Sequence, residues 1–138
     1  MKPILVDTGF LVAVYDRREP RHGACIRLHE ELPNPLVTCE AVVAEALYLL
    51  QSLPGAQRDI LASIDQDILE VPFRLAASAE KVGAIMEKYR DTPASFADAC
   101  LVQMADELDT GDILTLDSDF IHYRWRKTRP FNLLIPPG

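Results

Sequence analysis

Several carboxylates in this chain stand where a carboxylate is costly. Asp7 ends the apolar run Ile4-Leu5-Val6, and Asp117 ends Ile113-Leu114-Thr115-Leu116, with Asp119 two residues on. Glu45 lies in Val42-Val43-Ala44-Glu45-Ala46-Leu47, and Ala41, Val42, Tyr48 and Leu49 are its neighbours one helical turn away. Asp98 lies in Ser95-Phe96-Ala97-Asp98-Ala99, with Ala94, Ser95, Leu101 and Val102 one turn away. A carboxylate on an apolar face must be paired or must hold a cation, because burying it alone is expensive. Clustered carboxylates repel one another and take up protons unless a counter-charge is present. A hard divalent cation removes that cost and prefers oxygen donors, so Mg²⁺ or Mn²⁺ is the natural ligand. Such a site polarises a phosphodiester and activates water, which suggests metal-assisted hydrolysis. Capping accounts for the same residues one at a time: Asp7 or Thr8 can cap the helix that follows. Ser95 to Asp98 fits a capping box, and Asp117 or Asp119 can start a helical turn.

Convergence of these groups depends on the elements that carry them. Ile4-Leu5-Val6, bounded by Pro3 and Gly9, reads as a buried strand. A helix is expected over Phe10 to Tyr15 and a second over Arg21 to Glu31, ended by Pro33 and Pro35. Leu36-Val37 is a short strand, and Thr38 opens a helix running to about Ser52, closed by Pro54-Gly55. A weaker helix covers Arg58 to Asp65, with a short strand at Leu69-Glu70-Val71. Ala76 to Arg90 carries Ala79, Val82, Ile85 and Met86 at helical spacing, and Asp91-Thr92-Pro93 breaks the chain. A helix over Ser95 to Leu108 precedes a strand at Asp112 to Leu116 and a helical turn near Ser118 to Tyr123. A closing strand spans Phe131 to Ile135, before Pro136-Pro137-Gly138. Strands alternating with helices predict an α/β fold with a central parallel sheet between two helical layers. Its carboxyl edge is where such folds build sites.

The 138 residues are the length of one domain, taken as 1–138, and 49% apolar composition is enough for a core. With 14 Lys+Arg against 21 Asp+Glu the net charge is −7, so nucleic acid must be met by a local patch. That patch is present in His122-Tyr123-Arg124-Trp125-Arg126-Lys127-Thr128-Arg129, directly after the Asp117 motif. Arg124, Arg126, Lys127 and Arg129 can hold phosphates, and Tyr123 or Trp125 can stack on an unpaired base. The alternative is a solvated loop whose Trp125 packs on the core. Cys25, Cys39 and Cys100 are odd in number and widely spaced, which suits reduced thiols of a cytosolic protein rather than zinc or disulfides. No apolar stretch approaches membrane-spanning length.

The strand-end motif Asp7-Thr8-Gly9, the helix around Glu45, Ser95-Phe96-Ala97-Asp98-Ala99 and Thr115-Leu116-Asp117-Ser118-Asp119-Phe120 resemble, in order and over nearly the whole chain, the PIN-domain ribonucleases. Within them the chain is most similar to the VapC-like toxins of bacterial and archaeal toxin–antitoxin pairs. The resemblance implies an α/β/α sandwich, Mg²⁺- or Mn²⁺-dependent endoribonuclease activity, a homodimer and an antitoxin protein partner. It also implies that Asp7, Glu45, Asp98 and Asp117 are the catalytic, metal-binding acids, with Asp119 auxiliary and Thr8 and Thr115 supporting the metal shell. Gly9 stands where many members have Ser or Asn. Two other carboxylate-edged folds fit less well. A receiver domain wants adjacent acids after the first strand, and a haloacid-dehalogenase-type phosphatase wants an aspartate where Gly9 stands. A PIN-like module that only binds RNA or protein, and a housekeeping RNA-processing nuclease, remain compatible with the sequence.

Overall fold

Ile4–Val6 (β1) is buried at all three residues, the mark of a strand covered on both faces. In the computed structural model, which describes residues 1–92 and 94–136, β1 lies at the centre of a five-stranded sheet. Its partners are Leu36–Val37 (β2) on one side and Asp112–Leu114 (β4) on the other, both parallel to it. Leu69–Glu70 (β3) lies outside β2, and Asn132–Leu133 (β7) outside β4, again in parallel. The order is therefore β3-β2-β1-β4-β7. The chain leaves β1 towards β3 and later returns to the opposite side of β1 at β4. The crevice beyond the carboxyl ends of β1 and β4 is thus the topological switch point, where open α/β sheets bind ligands.

Helices connect these strands: Thr8–Tyr15 (α1), His22–Glu31 (α2), Glu40–Leu49 (α3), Pro54–Asp65 (α4), Leu75–Lys88 (α5) and Phe96–Leu108 (α6). The result is the central parallel sheet flanked by helices that the strand–helix alternation predicts. Helices α1 and α6 are the most deeply embedded, with Phe10 to Val14 and Ala97 to Ala105 buried without interruption. α6 ends at Asp109, whose left-handed backbone (φ 53°, ψ 49°) is one that Asp adopts more readily than most side chains. Cys25, Cys39 and Cys100 are buried free thiols. Among the described residues, no helix is long and apolar enough to cross a membrane.

The structure departs from the sequence expectations in instructive places. Pro54-Gly55 does not close α3 but opens α4, with Pro54 in the first turn, where its missing N–H costs nothing. α3 starts after Cys39 rather than at Thr38, because the Thr38 hydroxyl donates to the Val6 carbonyl at 2.7 Å and so stays with the sheet. On α5 only Ser78 and Val82 are buried, while Ala79 and Met86 of the expected stripe are exposed. Of the chain breaks read from sequence, Pro93, Pro137 and Gly138 lie outside the described residues.

The basic segment is an antiparallel hairpin, Arg124–Trp125 (β5) with Arg129–Pro130 (β6), rather than a loop. Its turn places Arg126 and Lys127 at φ 45° and 69°. Trp125 is buried, its indole N–H donating to the Pro130 carbonyl at 3.2 Å. The indole presses on Gly111, where an added Cβ would lie 2.2 Å from Nε1. Gly111→Ala should therefore force the hairpin off the β4 edge and destabilise the protein by about 1–3 kcal/mol, the usual cost of overpacking. Urea unfolding measures this, and a variant as stable as wild type would mean that the indole slides aside freely.

Candidate metal centre

Asp7, Asp98 and Asp117 arrive at the switch point from three elements. Asp7 follows β1 and caps α1, its Oδ1 accepting from the Thr8 N–H at 2.8 Å. Asp117 follows β4 and caps the 3₁₀ turn Ser118–Ile121, its Oδ1 accepting from the Asp119 N–H at 2.9 Å. Asp98 sits in the first turn of α6, where its N–H donates to the Ser95 hydroxyl at 3.0 Å. One oxygen from each of the three can be chosen so that all lie within 4.8 Å of one another. Capping and clustering are not alternatives here. The same residues do both, and the positive ends of α1 and α6 face the gathered charge.

Side-chain hydroxyls hold the cluster in place. The Thr115 hydroxyl donates to Asp7 Oδ2 at 2.7 Å and accepts from the Asp117 N–H at 3.0 Å, so one buried threonine links two of the acids. The Tyr123 hydroxyl donates to Asp98 Oδ2 at 3.0 Å. The Thr8 hydroxyl donates to Glu45 Oε2 at 3.3 Å. Glu45 corrects the sequence expectation in one respect. Its helical face is not covered: Glu45 is exposed, and Tyr48 and Leu49 beside it are 68% and 57% exposed. Glu45 reaches the site from the rim and is not among the three clustered acids. It lines, with Asp119 and the three aspartates, one open cavity of about 470 Å³.

Burial pushes the Asp7 carboxyl up from 3.8 to about 6 against the opposing hydrogen bonds from Thr115 and Thr8, and the charges of Asp98 and Asp117 add to the rise. Asp98 is raised as well, by burial first and by Asp117, with the Tyr123 and Ser95 hydrogen bonds pulling the other way. Three oxygen-donor acids, two of them driven towards protonation by their surroundings, are a donor set that a hard divalent cation would satisfy.

The basic residues divide into two groups. Arg124 and Lys127, with Lys81 and Lys88 from α5, line a second cavity of about 500 Å³ between α5, α6 and the hairpin. Arg126 and Arg129 lie over the Trp125 ring at 5.8 and 5.1 Å, and Arg126 is paired with Asp109 at 3.0 Å. Tyr123, expected among the RNA contacts, is 0% exposed, so its ring cannot stack on a base. Lys81, Lys88 and Tyr89 went unnoticed in the sequence. The cations of α5 read as an ordinary solvated face, and only the fold brings them to the hairpin.

Fold and site together define an α/β protein with an all-carboxylate cation site at the switch point of a parallel sheet. The chain belongs to the PIN domain family, whose model matches residues 4–126. It is 34% identical over 116 residues to "Ribonuclease VapC26" of Mycobacterium tuberculosis, a match covering 83% of this chain and 86% of that protein. Its fold is similar to the crystal structure of Mycobacterium tuberculosis VapC20, described as a Sarcin-Ricin loop cleaving toxin. That match has a TM-score of 0.80 and 25% identity, covering 92% of this chain and 99% of the other.

The raised Asp7 pKa has a consequence for stability. The folded value, about 6, lies above the unfolded one near 3.8, so the fold prefers the neutral acid. Its penalty is absent below the unfolded pKa and grows as pH rises, reaching about 3 kcal/mol above the folded pKa. In metal-free protein, Asp7→Asn should gain stability relative to wild type by about that amount between pH 3.5 and 7. Chemical denaturation of both proteins across this range measures it, and a pH-independent difference would mean that Asp7 titrates normally.

Proposed function

We propose that this protein is a Mg²⁺- or Mn²⁺-dependent endoribonuclease and the toxin of a toxin–antitoxin pair. The observation that carries the reading is the gathering of Asp7, Asp98 and Asp117 at the sheet's switch point, in a chain with a curated relative named a ribonuclease. These three aspartates are the residues that would hold the cation, with Glu45 and Asp119 at the rim of the cavity. A bound divalent cation supplies an acidified water and neutralises charge developing on the phosphate. The chain's own groups do the positioning. Thr115 holds the Asp7 and Asp117 segments together. Thr8 ties Glu45 to the first turn of α1. Glu45, open to solvent beside the buried acids, accepts a hydrogen bond from an incoming water and orients it towards the phosphodiester. The RNA strand is held by its phosphates along the cavity carrying Lys81, Lys88, Arg124 and Lys127. Arg126 and Arg129, engaged with Trp125, brace the hairpin and meet the strand only at its edge. On the same reading the protein is cytoplasmic, acts as a homodimer and is restrained by an antitoxin protein.

Cleavage of a structured RNA should require Mn²⁺ or Mg²⁺ and stop with EDTA. Asp98→Asn should lower the rate by orders of magnitude, since a neutral amide is a poor ligand for a hard cation. Gel analysis with and without EDTA checks both, and EDTA-resistant cleavage abolished by no aspartate substitution would overturn the reading. Replacing Lys81, Lys88 and Lys127 together with alanine should weaken RNA binding alike for all sequences. It should also lower the salt slope by about one per lost phosphate contact. Filter binding over a salt series tests this, and an unchanged slope would remove this cavity from the RNA path.

A further inference from the structure

Tyr123 joins the acid cluster to the aromatic core. Its hydroxyl donates to Asp98 Oδ2 at 3.0 Å, and the whole residue is buried. The ring is fixed from two sides by edge contacts, Tyr89 at 5.0 Å and 62° and Phe120 at 5.0 Å and 84°. Phe120 is itself held by Phe131 at 5.4 Å and 87°. The Tyr89 hydroxyl accepts the Arg124 N–H at 2.9 Å, which ties the chain just after Tyr123 to the end of α5. The phenol oxygen thus has little freedom, and neither does the carboxylate oxygen it holds.

We propose that Tyr123 is a positioning residue for the cation site, which fixes the Asp98 carboxylate in its binding orientation before any cation arrives. The proposal rests on the reading of Asp7, Asp98 and Asp117 as cation ligands. Without a cation, these three acids repel one another, and Asp98 would relieve the repulsion by swinging about its side-chain bonds. The hydrogen bond from Tyr123 opposes that swing, because turning the carboxylate breaks it. Orientation set in advance need not be gained at binding, so affinity rises without a new contact to the cation. Groups that orient ligand side chains in this way commonly change metal affinity or activity by 10–100-fold when removed. A buried phenol always needs a partner. Here the partner is a member of the acid cluster rather than a backbone carbonyl, which makes the bond functional as well as structural.

Tyr123→Phe keeps the ring and removes the donor. Calorimetric titration with Mn²⁺, well below the melting temperature, should show the dissociation constant raised roughly 10–100-fold. The kcat for RNA cleavage should fall while KM for RNA stays within about twofold, since Tyr123 does not touch the strand. The effect should run through Asp98. The double variant Tyr123→Phe/Asp98→Asn should bind Mn²⁺ no more weakly than Asp98→Asn alone, a departure from additivity expected of directly coupled groups. Tyr89→Phe, which removes a neighbouring phenol but leaves the Tyr123 hydroxyl in place, should leave Mn²⁺ affinity unchanged. An affinity of Tyr123→Phe equal to wild type, or an equal loss in Tyr89→Phe, would overturn the positioning role. Wild-type protein that takes up no Mn²⁺ would instead refute the cation site itself, and this proposal with it.

Discussion

Three like charges are brought together at the carboxyl edge of β1 and β4, and much of the molecule is arranged to tolerate them. In an apolar interior each would demand a partner. Here every partner is a neutral or partial dipole: the Thr8 and Asp119 N–H groups, the Thr115 and Tyr123 hydroxyls, and the first turns of α1 and α6. No lysine or arginine lines this cavity. Dipoles orient the carboxylates without cancelling their charge, and the electrostatic demand that remains is one a cation can meet. A guanidinium in the same place would have stabilised the fold and removed the site's affinity for metal. Folding stability and function therefore pull against each other at Asp7, whose carboxyl is pushed up to about 6.

Much of this was legible in the residues. An apolar run ending in an acid is a local signal, and it located Asp7 and Asp117 correctly beyond β1 and β4. Asp98 was legible only as a choice between a cap and a ligand. The structure removes that choice, since one residue donates its N–H to Ser95 and offers its carboxylate to the cluster. What failed to show in the sequence depends on contacts between distant segments. Glu45 was misjudged because helical spacing reports apolar neighbours, not whether anything covers them, and Tyr48 and Leu49 remain open. Tyr123 was misjudged for the opposite reason. Its basic neighbours are exposed, but alternation along β5 turns Tyr123 and Trp125 inward while Arg124 and Arg126 are more open. A period of two was present in Tyr123-Arg124-Trp125-Arg126 and was obscured by the charge count.

Glycine and threonine carry more of the architecture than their size suggests. Gly111 is the one place where the indole of Trp125 can approach the chain before β4, and that contact seats the hairpin beside α6. Thr38 and Thr110 send their hydroxyls to the Val6 and Pro3 carbonyls, fastening the two ends of β1. Thr115 does the same work at the site itself. These are short side chains on strand ends, where a longer residue would reach past the neighbouring backbone.

The bond between Thr115 and Asp7 spans 108 positions of the chain. Closing a loop of that length costs about 4 kcal/mol in chain entropy beyond a constant. Until β4 has been made, nothing can pair with that side of β1, and Asp7 stands alone. At usual synthesis speeds of about 5–20 residues per second, the interval is on the order of 5–20 s. A nascent chain during that time holds one of the three aspartates of the cluster in place and lacks the other two or their partners. An enzyme that cuts RNA while being translated from RNA thereby stays inert on the ribosome, through the order of its strands alone.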